Sequence, residues 1–211
     1  KTSLLDAVRG LGAVASGCVE LLGREVTGWP PHRLARVGLT RTFQSLELFD
    51  DLTVRENLRV AVTPARWGDV LVDLVHPARR RAQVDEAVDA ALEGAGVAHL
   101  ADRRPGRLSN GERHAVALAR ALVGSPRMVL LDAPAAGLDP DETSALGAAL
   151  VAMAASGTAV LLVDHDMDLV LGTCERVHVL AAGRLIASGT PDEVRADAGV
   201  LAAYLGDEER A

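Results

Sequence analysis

The stretch Leu108–Asp139, LSNGERHAVALARALVGSPRMVLLDAPAAGLD, joins a helix start to an apolar strand that ends in a carboxylate. Ser109 and Glu112 have the spacing of a capping box, in which both side chains satisfy backbone N–H groups at a helix start. Gly111 leaves that first turn open to close approach. Such a helix start, with its positive dipole end, is well suited to phosphate groups. An ordinary helix cap has the same pattern, so the capping box alone does not identify a phosphate site.

The segment Met128–Asp132 is an unbroken apolar run before its final aspartate, which predicts a parallel strand buried on both faces. Ligands of open α/β sheets bind beyond the carboxyl ends of the strands. The sequence therefore places Asp132 where it could hold a hydrated Mg2+. A second apolar run, Thr158–Val163, predicts another buried strand, which also ends in polar residues, Asp164 and His165. A lone histidine is more often structural, but two parallel strands with polar ends favour a ligand site.

Composition limits the possible architectures and partners. The 211 residues, 49% of them hydrophobic, suffice for one sizeable core and predict a single domain. With 22 basic and 29 acidic residues the net charge is −7, which disfavours nucleic acid and anionic lipid surfaces as partners.

Cys18 and Cys174 are far apart in sequence, which suits a reducing compartment and packing roles. Residues 144–163 carry no charge, but Ser156-Gly157-Thr158 interrupts them, so we expect helix, turn and strand rather than a membrane span.

Other segments have clear local patterns. We expect a short helix through Asp6 toward Gly10, a hairpin within residues 16–25 turning at Gly23-Arg24, and a helix from Pro30 to Gly38. A strand over residues 39–43 should run into Gln44, and Thr53 with Glu56 should cap a helix through about Val62. Arg81 and Asp85 are expected to pair at i, i+4 in an alanine- and acid-rich helix. Residues 177–180 and 185–187 predict a hairpin, and Thr190 with Glu193 predicts a capped final helix with proline at its first position.

Several of these motifs together resemble a known family. The phrases LSNGE, LARAL and LLDAPAAGLD are similar to the signature, second nucleotide motif and D-loop of ABC-transporter ATPases. RTFQSLELFDDLTVREN resembles the Q-loop of that family. The phrases RTFQSLELF, PAAGLDP, DHDMDLV and GTPDEVRADAGVLAAYLG resemble its branched-chain amino-acid uptake branch, and the resemblance covers nearly the whole chain.

The resemblance implies an α/β P-loop nucleotide-binding fold, with a mostly parallel sheet, antiparallel β pieces and a helical subdomain. It implies one domain over residues 1–211, with the helical subdomain inserted at approximately residues 64–123. Lys1-Thr2 is similar to the end of a P-loop, whose glycines and preceding strand we expect upstream of Lys1. Lys1 is also the single lysine of an arginine-rich chain, and a compact ammonium suits the β- and γ-phosphates. Without the upstream loop, ATP binding should be poor.

The resemblance also implies roles for individual residues. The implied catalytic residues are His165, Gln44 and Asp132. The implied ATP ligands are Lys1, Thr2, Ser3, Gln44 and His165, and the implied Mg2+ ligands are Thr2, Gln44 and Asp132. The implied signature, which serves the partner's nucleotide, is Ser109, Asn110, Gly111 and Glu112, and Asp139 belongs to the D-loop.

The expected cofactors are ATP and Mg2+. The expected partners are a second ATP-binding subunit, in a homo- or heterodimer, and transmembrane permease subunits of an importer for branched-chain amino acids or similar solutes. This places the chain in the cytoplasm, on the inner face of the membrane. ATP should close a head-to-tail pair, and hydrolysis should reopen it.

One departure from the family pattern leaves a second function open. The residue after the strand aspartate is usually a glutamate that acts as base toward the attacking water, whereas here it is Ala133. A methyl group cannot accept a proton, so the chain could instead be an ATP-binding clamp with little or no hydrolysis. A third possibility, a soluble ABC ATPase acting on DNA or the ribosome, is disfavoured by the acidic charge balance and the single cassette.

Overall fold

The computed structural model describes residues 2–41, 48–62 and 77–202. Two of the predicted site residues, Lys1 and Gln44, lie outside this description. The strands are β1 (Glu20–Leu21), β2 (Arg24–Glu25), β3 (Leu39–Arg41), β4 (Met128–Asp132), β5 (Ala159–Val163), β6 (Val177–Ala181) and β7 (Arg184–Gly189). The helices are α1 (Thr2–Val8), α2 (Pro31–Arg36), α3 (Val54–Ala61), α4 (Pro77–Gly94), α5 (Asn110–Leu122), α6 (Pro140–Ala155), α7 (Met167–Thr173) and α8 (Pro191–Ala196).

A parallel sheet with the order β3-β4-β5 positions the polar residues at the strand ends. Arg41 lies opposite Leu130, and Asp132 lies opposite Val163, so the carboxyl ends of all three strands share one edge. Four of the five residues of β4 are buried, as its apolar run predicts. The expectation that β5 is buried is wrong, because it is half-buried from Val160 to Val163 and exposed at Ala159. Among the described strands, β5 pairs with β4 alone.

Two antiparallel hairpins flank this sheet in sequence. The first pairs β1 with β2, and its turn lies at Leu22-Gly23 rather than at Gly23-Arg24, because Arg24 already pairs with Leu21. The second pairs β6 with β7 and has a register shift at Val179/Leu180. These are the antiparallel pieces expected from the sequence.

The predicted capping boxes are formed. In α3 and α8, the side chains of Thr53 and Thr190 each accept a hydrogen bond from the N3 backbone N–H. The N3 glutamates, Glu56 and Glu193, accept one from the backbone N–H of the cap residue. Hydrogen bonds from the backbone and side chain of Thr53 lower the pKa of the Glu56 carboxyl. Replacing such a cap by alanine typically costs about 0.5–2 kcal/mol.

The helices after β3 share a hydrophobic core of their own. Fully buried members of this cluster come from α3, α4 and α5, including Leu58, Val88 and Val116. The expected ion pair within α4 is wrong, because Asp85 is bonded by Arg59 of α3, with Nη2 and Oδ1 2.6 Å apart, and not by Arg81. The helical subdomain at residues 64–123 stays a prediction, and α3, which precedes it, contributes to the same core.

Gly38 joins α2 to the sheet in a conformation that favours glycine. Its φ is +95°, and a Cβ there would lie 2.7 Å from Arg127 Cγ. Its carbonyl accepts the N–H groups of Arg127 and Met128, which fixes the start of β4 beside β3. A side chain at residue 38 would therefore disturb the register of the central sheet.

The uncharged segment at residues 144–163 forms most of α6, a turn and β5, as predicted. None of the helices in the described ranges has the length and apolar character that a bilayer crossing requires. The packing role expected of the cysteines holds for Cys174, which lies against the Val177 cluster, but not for Cys18, which is exposed.

Candidate functional site

The shared edge of the three parallel strands brings charged side chains together at the carboxyl ends. Arg41 ends β3, Asp132 ends β4, and Asp164 directly follows β5. Arg41 Nη2 donates to Asp132 Oδ2 over 2.5 Å, and both side chains are largely buried. Sequence reasoning placed Asp132 correctly at the strand end but missed Arg41. A charged residue within the strand predicted at residues 39–43 was the available signal.

Arg41 also connects the sheet to α1. Its Nη1 donates to Asp6 Oδ1 over 3.3 Å, and Asp6 in turn faces Arg9 Nη1 at 3.5 Å. Leu5 is fully buried in the cluster that includes Leu130 of β4. The helix that begins at Thr2 is thus held to the end of β4 by packing and by a bridging guanidinium.

The predicted nucleotide residues Thr2 and Ser3 lie in the first turn of α1, and both are exposed. Their hydroxyls are therefore accessible at the start of a helix whose other end is tied to Asp132 through Asp6 and Arg41. Their predicted roles toward ATP and Mg2+ stay predictions.

Asp164 has a structural role at the end of β5. Its side chain is fully buried, Oδ1 accepts the N–H groups of His165 and Asp166, and Oδ2 accepts the N–H of Ala135. This carboxylate joins the turn after β4 to the turn after β5. His165 is 77% exposed, and its Nδ1 lies 3.3 Å from Asp164 Oδ1. The exposed imidazole is therefore accessible to a ligand beyond the strand end.

Ala133 occupies a constrained backbone position directly after Asp132. Its φ is +47°, in the left-handed region, and its N–H donates to Val163 O over 2.6 Å. A non-glycine residue in this region costs about 1–3 kcal/mol, which surrounding contacts must offset. The hydrogen bond to β5 fixes the direction in which the chain leaves the sheet.

The predicted signature residues begin α5, where Ser109 is the N-cap and forms the expected capping box with Glu112. Ser109 and Asn110 are exposed, and Gly111 and Glu112 are half-buried. The Asn110 amide donates to Gly137 O over 2.7 Å, which links the predicted signature to the predicted D-loop, where Asp139 is exposed.

Glu142 is a residue at this site that sequence reasoning missed. Asp139 caps α6, and Glu142 completes its capping box at N3. The same carboxylate accepts the N–H of Gly111 over 2.8 Å. The signal was available, because Asp139 and Glu142 have the capping-box spacing used for Ser109 and Glu112.

The donor set fits a nucleotide-bound Mg2+ rather than a metal cage built by the protein alone. Among the described residues, no group of three or more His, Cys, Asp or Glu side chains could hold a metal ion. Mg2+ in nucleotide sites is held by one or two carboxylates and by substrate phosphates. The buried Asp132 carboxylate, at a strand end with one oxygen bonded by Arg41, matches that pattern.

Comparison with known proteins assigns the family. The protein-family model described as "ABC transporter" matches residues 1–136. The chain belongs to the ABC-transporter family. A second model, "Branched-chain amino acid ATP-binding cassette transporter", matches residues 184–210.

Individual relatives and structures agree with this assignment. The high-affinity branched-chain amino acid transport ATP-binding protein LivG of Salmonella typhimurium is 38% identical over 98% of this chain and 83% of its own length. BraF of Pseudomonas aeruginosa, which carries the same description, is 36% identical over 98% of this chain and 83% of its own length. The ADP conformation of MJ1267, an ATP-binding cassette of an ABC transporter, superimposes with a TM-score of 0.82 and 28% identity, over 98% of this chain and 83% of that one.

This ABC-type ATPase therefore has the α/β cassette fold predicted from its sequence. Membership in this family confirms that the chain is a nucleotide-binding subunit of a transporter and that ATP hydrolysis is its family activity. It favours that function over the ATP-binding clamp.

Proposed function

We propose that this ABC-type ATPase powers a branched-chain amino-acid importer, as one of two ATP-binding subunits attached to permease subunits. The observation that carries the proposal is the sheet edge where Arg41, Asp132 and the Asp164–His165 turn lie together in a chain of this family. The solute class is supported by the descriptions of LivG and BraF and by the family match over residues 184–210.

ATP would be held by groups from several elements of the chain. The proposed ligands are Lys1, Thr2, Ser3, Gln44 and His165. Thr2, Gln44 and Asp132 would hold Mg2+, which when bound neutralises phosphate charge. The exposed His165 imidazole would contact the γ-phosphate. The buried Asp164 carboxylate accepts the His165 N–H and so fixes the backbone of that residue. Gln44 would orient the attacking water.

The nucleotide site of one subunit would be completed by the signature of the other. Exposure of Ser109, Asn110 and Asp139 supports this arrangement, since a partner must reach these residues. The positive dipole end of α5 suits an incoming phosphate. A head-to-tail pair then places two nucleotides between two chains.

The permease contact is proposed for the loop that follows the Q-loop residues. Phe49, a large apolar residue in this loop, is 47% exposed, and the neighbouring Asp50 and Asp51 are exposed too. An exposed aromatic side chain with a charged rim suits a protein partner. This contact would hold the subunit on the cytoplasmic face of the membrane.

The test uses Ser109→Arg in the full-length protein, with Thr190→Arg as its matched control. Both substitutions remove the cap residue of a capping box, but only the first fills the signature. Dimerisation is measured by light scattering with Mg2+ and a non-hydrolysable ATP analogue. We expect Ser109→Arg to abolish dimerisation while dilute monomers still bind the nucleotide, and Thr190→Arg to dimerise normally.

The solute is tested by leucine uptake in cells of the source organism that lack the gene. Wild type and Thr190→Arg should restore uptake, and Ser109→Arg should not. A dimer of Ser109→Arg would contradict the signature assignment. Unchanged leucine uptake in the deletion strain would contradict the solute class but not the ATPase function.

A further inference from the structure

The carboxylate of Glu142 lies at the start of α5, among the groups assigned to the partner's nucleotide. Its Oε1 accepts the N–H of Gly111 over 2.8 Å and the Ser109 hydroxyl over 3.4 Å. Its Oε2 accepts the N–H of Asp139 over 3.3 Å. One side chain from α6 thus bonds both its own helix start and the signature.

Gly111 leaves the space that this carboxylate fills. A Cβ at residue 111 would lie 2.5 Å from Glu142 Oε1 and 2.6 Å from its Cδ. Such separations are far inside van der Waals contact, so a side chain at residue 111 would displace Glu142. The lack of a side chain at Gly111 thus leaves room for an oxyanion at the helix start, and this oxyanion is the Glu142 carboxylate of the same chain.

A phosphate and this carboxylate would compete for the same donors. Each is an oxyanion that is stabilised by the free N–H groups and positive end of a helix. The Gly111 N–H is already used by Glu142, and a negative charge within a few Å opposes a second one. A partner's phosphate therefore reaches the Gly111 N–H only when the carboxylate withdraws.

We propose that Glu142 is an intramolecular anion that occupies the signature in the nucleotide-free subunit and must withdraw when the partner's nucleotide binds. The proposal rests on the proposed function, since it assumes that the signature serves the partner. Withdrawal would also release the Asp139 N–H, so binding at the signature is coupled to the D-loop. The Asn110 amide would still hold Gly137.

Glu142→Gln in the full-length protein tests this competition, with Glu193→Gln as the matched control. Both glutamates are the N3 residues of capping boxes with proline at the helix start, but Glu193 belongs to α8 rather than to the signature contact. The readout is the concentration of the non-hydrolysable ATP analogue that gives half-maximal dimerisation with Mg2+. Nucleotide affinity of the dilute monomer is measured in parallel.

We expect Glu142→Gln to lower the half-dimerisation concentration by about two- to fivefold, as the loss of one competing charge at a helix end predicts. Monomer affinity should not change, and Glu193→Gln should match wild type. Glu142→Asp is a second variant, because its shorter side chain keeps the charge but draws it away from Gly111. It should shift the concentration in the same direction, and it serves as the readout if Glu142→Gln folds poorly.

The possible failures are distinguishable. If wild type dimerises but both Glu142 variants need as much nucleotide as wild type, or more, the competition is refuted and the proposed function stands. If wild type itself never dimerises at any nucleotide concentration, the proposed function fails, and this inference fails with it.

Discussion

Arg41 and Asp132 form a buried ion pair across two parallel strands, with Nη2 and Oδ2 2.5 Å apart and side chains only 11% and 8% exposed. The register explains the contact. Arg41 lies opposite Leu130, and Asp132 is two residues farther along the same face of β4. The long arginine side chain spans this offset. The pair neutralises an aspartate that would otherwise be buried alone.

We predict that Arg41→Met destabilises the Mg2+-free protein by about 3–5 kcal/mol, because it leaves a buried carboxylate without its cation. Urea unfolding measures the loss. Arg55→Met is the matched control, since Arg55 and Asp89 are paired at 2.6 Å but their side chains are 29% and 54% exposed. An exposed pair of this kind contributes about 0–1 kcal/mol.

A double-mutant cycle with Asp132→Asn completes this test. If the ion pair is the source of the loss, the double variant should be more stable than the sum of the single losses predicts. Equal losses for Arg41→Met and Arg55→Met would show instead that burial does not set the strength of these pairs.

Cys174 provides a prediction on thiol reactivity. Burial raises the pKa of its thiol, so less of the reactive thiolate is present at a given pH. In the native protein at pH 8, iodoacetamide should modify the exposed Cys18 first and Cys174 more slowly. Raising the pH should accelerate modification of Cys174, because it increases the thiolate fraction.

The rates are measured by mass spectrometry on Cys18→Ser and Cys174→Ser, each of which leaves a single thiol. Urea should remove most of the delay at Cys174. A native rate at Cys174 equal to its rate in urea would contradict the burial argument.

Local features of this fold could be predicted from sequence, and contacts between distant elements could not. The capping boxes at Thr53, Ser109 and Thr190 and the strand Met128–Asp132 follow from residues a few positions apart. The bonds from Arg41 to Asp132 and from Gly111 to Glu142 join residues 91 and 31 positions apart.

The error at Asp85 has the same physical origin. Spacing within one helix favoured Arg81, but α3 packs on α4 and presents Arg59 to the carboxylate. Pair energies within a helix are only about 0.2–0.5 kcal/mol, so a partner placed by tertiary packing readily prevails.

Asn57 was also missed, although an asparagine at an apolar position of the amphipathic α3 was a signal. It is fully buried, accepts the Phe49 N–H over 2.8 Å and donates to Phe49 O and Thr53 O. We predict that Asn57→Ala costs about 1–3 kcal/mol, because buried backbone groups lose their partners. Urea unfolding measures the loss.

Gln83→Ala is the control, since this side chain is exposed on α4 and its loss should stay within about 0.5 kcal/mol. Limited proteolysis should additionally cleave the loop around Phe49 faster in Asn57→Ala. Unchanged stability together with an unchanged cleavage rate would show that Asn57 does not hold this loop.

The last prediction concerns Ala133, whose backbone position is fixed by its hydrogen bond to Val163. Alanine already adopts the left-handed conformation at φ +47°, so Ala133→Glu adds a carboxylate beside Asp132 at little further backbone cost. General-base catalysis contributes about 10²- to 10⁴-fold. Single-turnover ATP hydrolysis by the full-length protein should rise by a factor of that order. The dimer's lifetime should shorten, and ATP affinity should change little.

Ala136→Glu is the matched control, because this exposed residue in the same turn receives the same charge three positions farther on. Its hydrolysis rate should equal that of wild type. Asp164 does not compete for the role of base, since its buried carboxylate already accepts three backbone N–H groups. If the alanine form turns over at a rate that glutamate does not improve, activation of the water comes from His165 or from another acid. The carboxylate at residue 133 is then dispensable for transport ATPase activity.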